Sequence, residues 1–134
     1  MTLRISLKDG EKIVVNGAVL RAARRTDLIL ENHAAIMRGR EVMSPEEVTS
    51  PARRLYFACM MAYIDESGRD RYQDEIVLVL GDLMGALESE EARATCTRFA
   101  HRVATGDYYR ALAECRALVA YETEALARLD DRAA

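Results

Sequence analysis

The stretch Thr49–Tyr63, TSPARRLYFACMMAY, separates two parts of the sequence that differ in character. Ser50 followed by Pro51 is the pattern of a helix N-cap and a first helical residue, because the serine oxygen accepts a backbone N–H and proline lacks one. From Leu55 onward the residues are apolar on nearly every side of a helix, which is typical of a helix buried at the centre of a fold. We therefore predict that the rest of the chain packs on this helix.

Before this helix, short apolar runs alternate with turn signals. Residues 3–8 alternate apolar and polar side chains with a period of two, which indicates a half-buried strand. The pair Asn16-Gly17 favours a two-residue hairpin turn of type I′. We predict further strands over 12–15, 18–23, 28–30 and 35–37. The N-terminal part, residues 1–43, is thus predicted to be a small antiparallel β-sheet or half-barrel.

After this helix the apolar periodicity is helical. We predict further helices over residues 69–88, from Ser89 to a turn at 105–107, and from Asp107 to about Asp130. A single helical turn is expected at Ser44–Glu47, which has the form of a capping box. The predicted fold class is α+β, with the small sheet packed on a C-terminal bundle of about four helices, residues 44–134, as one structural domain.

Two helical features point to a protein partner. Gly81 and Gly85 lie one turn apart inside a predicted helix, where each destabilises the helix by about 1 kcal/mol relative to alanine. We expect the backbone of another helix to approach them, from within the chain or from a partner. In the last helix Tyr108, Leu112 and Val119 follow coiled-coil-like spacings. The candidate partner-binding residues are Gly81, Gly85, Tyr108, Leu112 and Val119.

Charge is distributed unevenly along the chain. The net charge is −3, yet residues 1–55 hold ten Lys and Arg against seven Asp and Glu, whereas residues 56–134 hold nine against fifteen. Arg53 and Arg54 fall in the first turn of a helix, where cations oppose the helix dipole, so either ion pairs with the acidic part or a bound anion must favour them. We expect this pair to lie at the edge of the basic part. The candidate nucleic-acid-binding residues are Arg21, Arg24, Arg25, Arg38, Arg40, Arg53 and Arg54.

The sequence lacks the common catalytic and metal-binding motifs. The chain has no GxxxxGK[ST] loop, GxGxxG, HExxH or GxSxG, and its two histidines lack a second ligand at metal-binding spacing. The three cysteines form no CxxC pair and lie among apolar residues, as expected for buried thiols in a reducing compartment. No apolar run could span a bilayer or serve as a signal segment. We therefore expect a cytoplasmic protein that is not an enzyme and needs no cofactor.

Four blocks of residues carry a resemblance to a known family. They are LKDGEK at 7–12 with NGAV at 16–19; VTSPARR at 48–54; YF at 56–57 with Met60, Met61 and Tyr63; and YYRAL at 108–112 with Cys115, Arg116, Tyr121 and Glu122. In this order, over nearly the whole chain, they resemble the FlbT family, the flagellin-synthesis regulators of flagellated α-proteobacteria. The chain departs from the family pattern at Asp9 and Ala58, where proline is common.

The resemblance implies a post-transcriptional regulator. Family members act on flagellin mRNA, binding its 5′ untranslated region and lowering its translation or stability, and the companion protein FlaF acts in opposition. Some members activate instead of repress. The alternative is an adaptor or chaperone-like module that binds FlaF or flagellin and affects the mRNA indirectly. The expected partners are thus a flagellin mRNA leader, FlaF, flagellin and further copies of the chain, with no membrane.

Overall fold

The computed structural model describes residues 2–133, and the side chains of residues 2–131. Met1 and Ala134, the outer ends of the two predicted subdomains, lie outside the described residues. The elements are β1 (Leu3–Leu7), β2 (Lys12–Val15), β3 (Ala18–Arg21), β4 (Thr26–Leu30), β5 (Ile36–Arg38), 3₁₀ turns at Gly39–Glu41 and Pro45–Glu47, α1 (Pro51–Ile64), α2 (Arg69–Ala86), α3 (Glu90–Ala104) and α4 (Tyr108–Ala133). The predicted α+β class is confirmed.

The hairpin between β2 and β3 forms where the sequence predicts it. Asn16 and Gly17 both have positive φ, 51° and 87°, as a type I′ turn requires. The turn also packs closely on the helical part, because a Cβ added to Gly17 would lie 3.0 Å from the carbonyl oxygen of Ile64. Glycine is therefore needed here both for its backbone conformation and for its small size.

The strands form two small antiparallel sheets. β1 pairs with β4, and β2 lies between β3 and β5. The two sheets share a small core formed by Ile5, Leu7, Ile13 and Ala22. β2 is buried on both faces, since Ile13 points into this small core and Val14 into the core of the helices. β3 pairs on one side only, and all four of its side chains are exposed.

α1 is the central helix, as predicted. It packs against α2 and α4, and its buried residues join those of the other three helices in the main core. Met37 of β5 and Val14 of β2 extend that core into the sheets. The boundary between residues 43 and 44 stays a prediction.

The connector between β5 and α1, residues 39–50, is hydrogen-bonded to the helices through tyrosine side chains. The Tyr56 hydroxyl donates to the backbone carbonyl of Glu41 at 2.7 Å, and the Tyr109 hydroxyl donates to the Glu41 carboxylate at 2.5 Å. Near the C-terminal end of α1, the Tyr63 hydroxyl accepts the backbone N–H of Ile36 at 3.1 Å. The sheets therefore sit at the C-terminal end of α1, and the connector runs back along that helix.

The N-terminus of α1 is capped twice. The Ser50 hydroxyl accepts the N–H of Arg53 at 3.4 Å, and the Glu122 carboxylate of α4 accepts the N–H of Ala52 at 2.9 Å. A carboxylate at this position also interacts favourably with the positive end of the helix dipole. Glu122, the charged residue within the apolar face of α4, thus has a partner. Among the described residues, no helix is both long and apolar enough to cross a bilayer.

Candidate functional site

The sheets carry an exposed group of arginines on and beside β3. Arg21 is the last residue of β3, and Arg24 and Arg25 lie in the loop that leads to β4. All three side chains are exposed, and within the described part of the chain none has a carboxylate oxygen within 4 Å. Their charges are therefore available to an anionic ligand.

Three cations from different segments meet around one shallow hollow of about 490 Å³. Lys8 follows β1, Arg25 precedes β4, and Arg38 ends β5. Leu7 contributes an apolar surface to the hollow, whose further lining residues are Ser6, Asp9 and Glu11. The two predicted arginines, Arg25 and Arg38, are brought together here. Lys8 was missed as a member of this group, although its position directly after β1 places it at the same edge.

The Arg38 side chain is held in place by its neighbours. Its guanidinium donates to one carboxylate oxygen of Glu11 from Nε at 3.2 Å and from Nη2 at 2.8 Å, and to the carbonyl of Ser6 at 2.8 Å. The backbone N–H of Lys8, followed by this guanidinium, lowers the pKa of Glu11. Arg38 is thus partly neutralised and oriented, whereas Lys8 and Arg25 have no carboxylate oxygen within 4 Å in the described chain.

A second ion pair lies on the outer face of the β1–β4 sheet. Arg4 contacts Asp27 at 2.7 Å, and the Ser6 hydroxyl donates to the other oxygen of Asp27 at 2.8 Å. These hydrogen bonds lower the pKa of the Asp27 carboxyl, which remains ionised at neutral pH.

The cations described above, apart from Arg4, form one surface on the sheet side of the molecule. We define this basic sheet surface as Lys8, Arg21, Arg24, Arg25 and Arg38.

Arg53 and Arg54 do not adjoin the basic sheet surface. The expectation that this pair lies at the edge of the basic part is therefore wrong. They lie in the first turn of α1, while the sheets sit at its C-terminal end, about 15 Å along the helix axis. Arg54 pairs with Glu75 of α2 at 2.7 Å, and Arg53 lines a hollow that also includes Glu122 and Asp130. Arg40 is exposed in the connector. A role for these three in RNA binding stays a prediction.

The predicted partner-binding residues of α4 are mostly inside the protein. Tyr108 and Leu112 are buried in the main core, and Val119 packs partly buried against it. Around Tyr108 and Leu112 the coiled-coil-like seam of α4 is therefore occupied by α1 and α3 of the same chain, and the prediction that these two residues face a partner is wrong.

The two glycines of α2, unlike Tyr108 and Leu112, lie at the surface of the protein. Gly81 and Gly85 are exposed, and none of the described atoms lies within 4 Å of a Cβ added at either position. Of the two alternatives, approach by another helix of the described chain is therefore wrong, and approach by a partner stays a prediction. Around them Val77, Leu78 and Met84 expose 72%, 60% and 40% of their surface. Sequence reasoning missed these three, although apolar residues off the core stripe of α2 were the available signal.

The cysteines are unsuited to nucleophilic chemistry. Cys59, Cys96 and Cys115 are fully buried in the main core, and burial raises the pKa of each thiol, that of Cys59 to about 12. His101 is exposed while Cys96 is buried, so the two do not form a catalytic pair. Within the described ranges, no group of three or more His, Cys, Asp or Glu residues could hold a metal ion.

The family model for "Flagellar protein FlbT" matches residues 3–126. The chain belongs to the FlbT family. The "Flagellum biosynthesis repressor protein FlbT" of Caulobacter vibrioides strain CB 15 is 40% identical over 127 residues, covering 94% of this chain and 90% of the relative. The "Probable flagellum biosynthesis repressor protein FlbT" of Agrobacterium fabrum is 36% identical, covering 93% of this chain and 84% of the relative.

The match to the FlbT family includes both exposed surfaces described above. The basic sheet surface and the outer side of α2 lie within residues 3–126, and the last turns of α4 lie beyond them. A probable FlbT protein from Caulobacter sp. strain K31 is 39% identical and covers 94% of this chain and 97% of its own length. Among solved structures, none matches the chain.

Proposed function

We propose that this FlbT-family chain represses flagellin synthesis after transcription, by binding the 5′ untranslated region of flagellin mRNA and lowering its translation or stability. Membership of the FlbT family carries the proposal, since the relatives are named as flagellum biosynthesis repressors. No catalytic group is required, because loss of the message would follow from blocked translation or from recruited nucleases.

The basic sheet surface is the site that we assign to RNA. Arginine guanidinium groups bind phosphates through two hydrogen bonds and stack on unpaired bases, and both contacts suit a single-stranded leader. The first 55 residues contain no Phe, Trp or Tyr, so base stacking on the sheets would depend on the arginines and on the exposed His33. Arg21, Arg24 and Arg25, which are exposed and unpaired within the described chain, are the side chains best placed for it.

Charge favours one orientation of the RNA. Residues 56–134 carry six more acidic than basic side chains, so the helices repel a phosphate backbone. An RNA strand is therefore expected to contact the sheet side of the molecule. The hollow between Lys8, Arg25 and Arg38 would accept one phosphate or one extruded base, with Arg38 held ready by Glu11.

Binding to a flagellin leader and to a shuffled RNA, measured at several salt concentrations, tests this function. We expect tighter binding to the leader, and a log–log salt slope reduced by about 0.7 for each phosphate contact removed in the Arg24→Ala/Arg25→Ala variant. The matched control is Arg71→Ala/Arg128→Ala, which removes two exposed arginines from the helices, outside every candidate RNA-binding residue. Equal, weak binding to both RNAs would overturn specific recognition, and an unchanged affinity of Arg24→Ala/Arg25→Ala would overturn this site.

A second candidate function is that of an adaptor that binds FlaF or flagellin and affects the mRNA indirectly. The exposed apolar side of α2, among acidic residues, favours it, because such a surface suits a protein and not RNA. Size-exclusion chromatography with light scattering, on the purified chain with FlaF and with flagellin, tests it. We expect a complex at micromolar concentration with one of them, and separate elution of all components would count against this function.

A further inference from the structure

The outward side of α2 is an apolar surface that the described chain leaves uncovered. Val77, Leu78, Gly81, Met84 and Gly85 follow the helical repeat and lie on one side of the helix. We call these five residues the α2 outer face. The three large side chains are exposed, and single exposed apolar residues are common on proteins, but a contiguous group of them marks an interaction site.

The two glycines give this face its shape. Glycine inside a helix destabilises it relative to alanine, and here the space beside each Cα is open. The absence of side chains at Gly81 and Gly85 therefore serves no contact within the described chain. What it permits is close approach of another backbone between Val77, Leu78 and Met84.

A groove continues the α2 outer face towards α3. The hollow between these helices has a volume of about 410 Å³ and is lined mainly by Ile76, Val77 and Leu80 of α2 and by Ala100, Val103 and Ala104 of α3. Val77 belongs to both the groove and the α2 outer face. Small alanines on one wall and glycines beyond the other leave a trough of the kind in which an amphipathic helix binds.

The charges around the α2 outer face indicate which kind of molecule it can bind. From Tyr72 to Ala92 the chain has six Asp and Glu and no Lys or Arg. Asp74 and Asp82 border the face and are exposed, whereas Glu75 is engaged by Arg54. On the α3 side Arg102 lies 3.8 Å from Asp107, and at the start of α2 Arg71 stacks on Tyr72. A second copy of this face, or an RNA backbone, would bring like charges together.

We infer that the α2 outer face and the groove beside it bind one amphipathic helix of a partner protein. The bound helix would place small and apolar residues against Gly81 and Gly85, and Lys or Arg against Asp74 and Asp82. The inference rests on the second candidate function and names the chemistry of its partner. It does not depend on RNA binding, which uses the other side of the molecule.

Three fluorescent model peptides of about the length of α2 test the inference. The first has an Ala and Leu stripe bordered by Lys, the second the same stripe bordered by Glu, and the third the composition of the first in scrambled order. We expect the Lys-bordered peptide to bind at least about tenfold more tightly than the other two, as measured by fluorescence anisotropy. Absent binding, or equal binding of all three, would overturn the inference.

Substitutions then locate the site. Gly81→Leu/Gly85→Leu fills the space for the partner, and we expect at least a tenfold loss of affinity for the Lys-bordered peptide with the fold retained. Ala113→Leu, at an exposed alanine of α4, is the matched control and should bind normally. Asp74→Lys/Asp82→Lys should exchange the preference towards the Glu-bordered peptide. Unchanged affinity in Gly81→Leu/Gly85→Leu would place the peptide elsewhere and overturn the assigned site.

Two further measurements separate the alternatives. In sedimentation experiments we expect the chain alone to be a monomer. A dimer that dissociates in the Gly81→Leu/Gly85→Leu variant would mean that the α2 outer face binds a second copy of the chain and not a partner helix, and would overturn the inference. The same variant is assayed against the flagellin leader RNA, and we expect its RNA affinity to be unchanged. A loss of RNA binding in this variant would contradict the separation of the two surfaces, whereas a failure of RNA binding in every variant leaves the peptide result intact.

Discussion

At the scale of single residues, Glu122 shows how a charge is used inside an apolar helix face. Its carboxylate accepts the N–H of Ala52 and so joins α4 to the beginning of α1. Arg53 lines the hollow beside it, which brings a cation near the same carboxylate. The arginines that oppose the dipole of α1 are thus accompanied by acidic groups from α4 and, through the pair between Arg54 and Glu75, from α2.

Replacing Glu122 should therefore destabilise the protein. We expect Glu122→Ala to lower the free energy of unfolding by about 1.5–3 kcal/mol, because a charged acceptor is lost and a helix N–H is left without it. Glu122→Gln should lower it by less, since the amide oxygen still accepts. Urea unfolding measures both, with Glu124→Ala, at an exposed position of α4, as the control. An effect of Glu122→Ala no larger than that of the control would contradict the role of this contact.

At the scale of elements, the glycines of α2 and the glycine of the hairpin turn have opposite effects on folding stability. In α2 neither Gly81 nor Gly85 touches another part of the described chain, and neither has positive φ. In the hairpin, Gly17 has φ of 87° and its Cα faces the end of α1. The first two are therefore replaceable without loss of folding stability, and the third is required for it.

Gly81→Ala and Gly85→Ala should each raise the free energy of unfolding by about 1 kcal/mol, because alanine is the better helix former and meets open space. Gly17→Ala should lower it by about 1–2 kcal/mol, because alanine is strained at positive φ and its Cβ would lie 3.0 Å from the Ile64 carbonyl oxygen. Thermal unfolding of the three variants measures the contrast. A destabilised Gly81→Ala would show that the chain itself needs the glycine.

At the scale of the whole molecule, one core joins all four helices and contains the three thiols. Cys59 and Cys115 donate weakly to the backbone carbonyls of Tyr108 and Ala52, at 3.6 Å each. Burial raises the pKa of Cys59 from 9.0 to about 12, so the folded protein holds a proton that the unfolded chain loses at lower pH. The stabilisation linked to this proton is complete below pH 9 and is lost as the pH rises from 9 towards 12.

Stability should consequently fall in alkaline solution. For Cys59 alone we expect a decrease of about 1.4 kcal/mol in the free energy of unfolding for each pH unit between 9 and 12. Urea unfolding at a series of pH values measures it, and Cys59→Ala should show a shallower decrease than the parent. At pH 8 a thiol reagent should leave all three cysteines unmodified until denaturant is added. Rapid modification without denaturant would contradict their burial.

The local structure of this protein follows from its sequence. Ser50-Pro51 begins α1, Asn16-Gly17 forms the hairpin, and the apolar run after Leu55 becomes the central helix, as predicted. Each of these features depends on interactions among residues close together in the chain, or on a run that is apolar on every side. The blocks that resemble the FlbT family are likewise a property of the sequence alone, and the match over residues 3–126 confirms that family.

Only the tertiary structure decided which apolar surfaces are covered and where the charges meet. Periodicity shows that a helix face needs a neighbour but does not identify the neighbour, so the faces of α4 and α2 were indistinguishable in sequence. Packing buried Tyr108 and Leu112 and left Gly81 and Gly85 open. Lys8, Arg25 and Arg38 meet, and Arg53 and Arg54 lie apart, because the sheets dock at one end of α1 and its arginines begin the other.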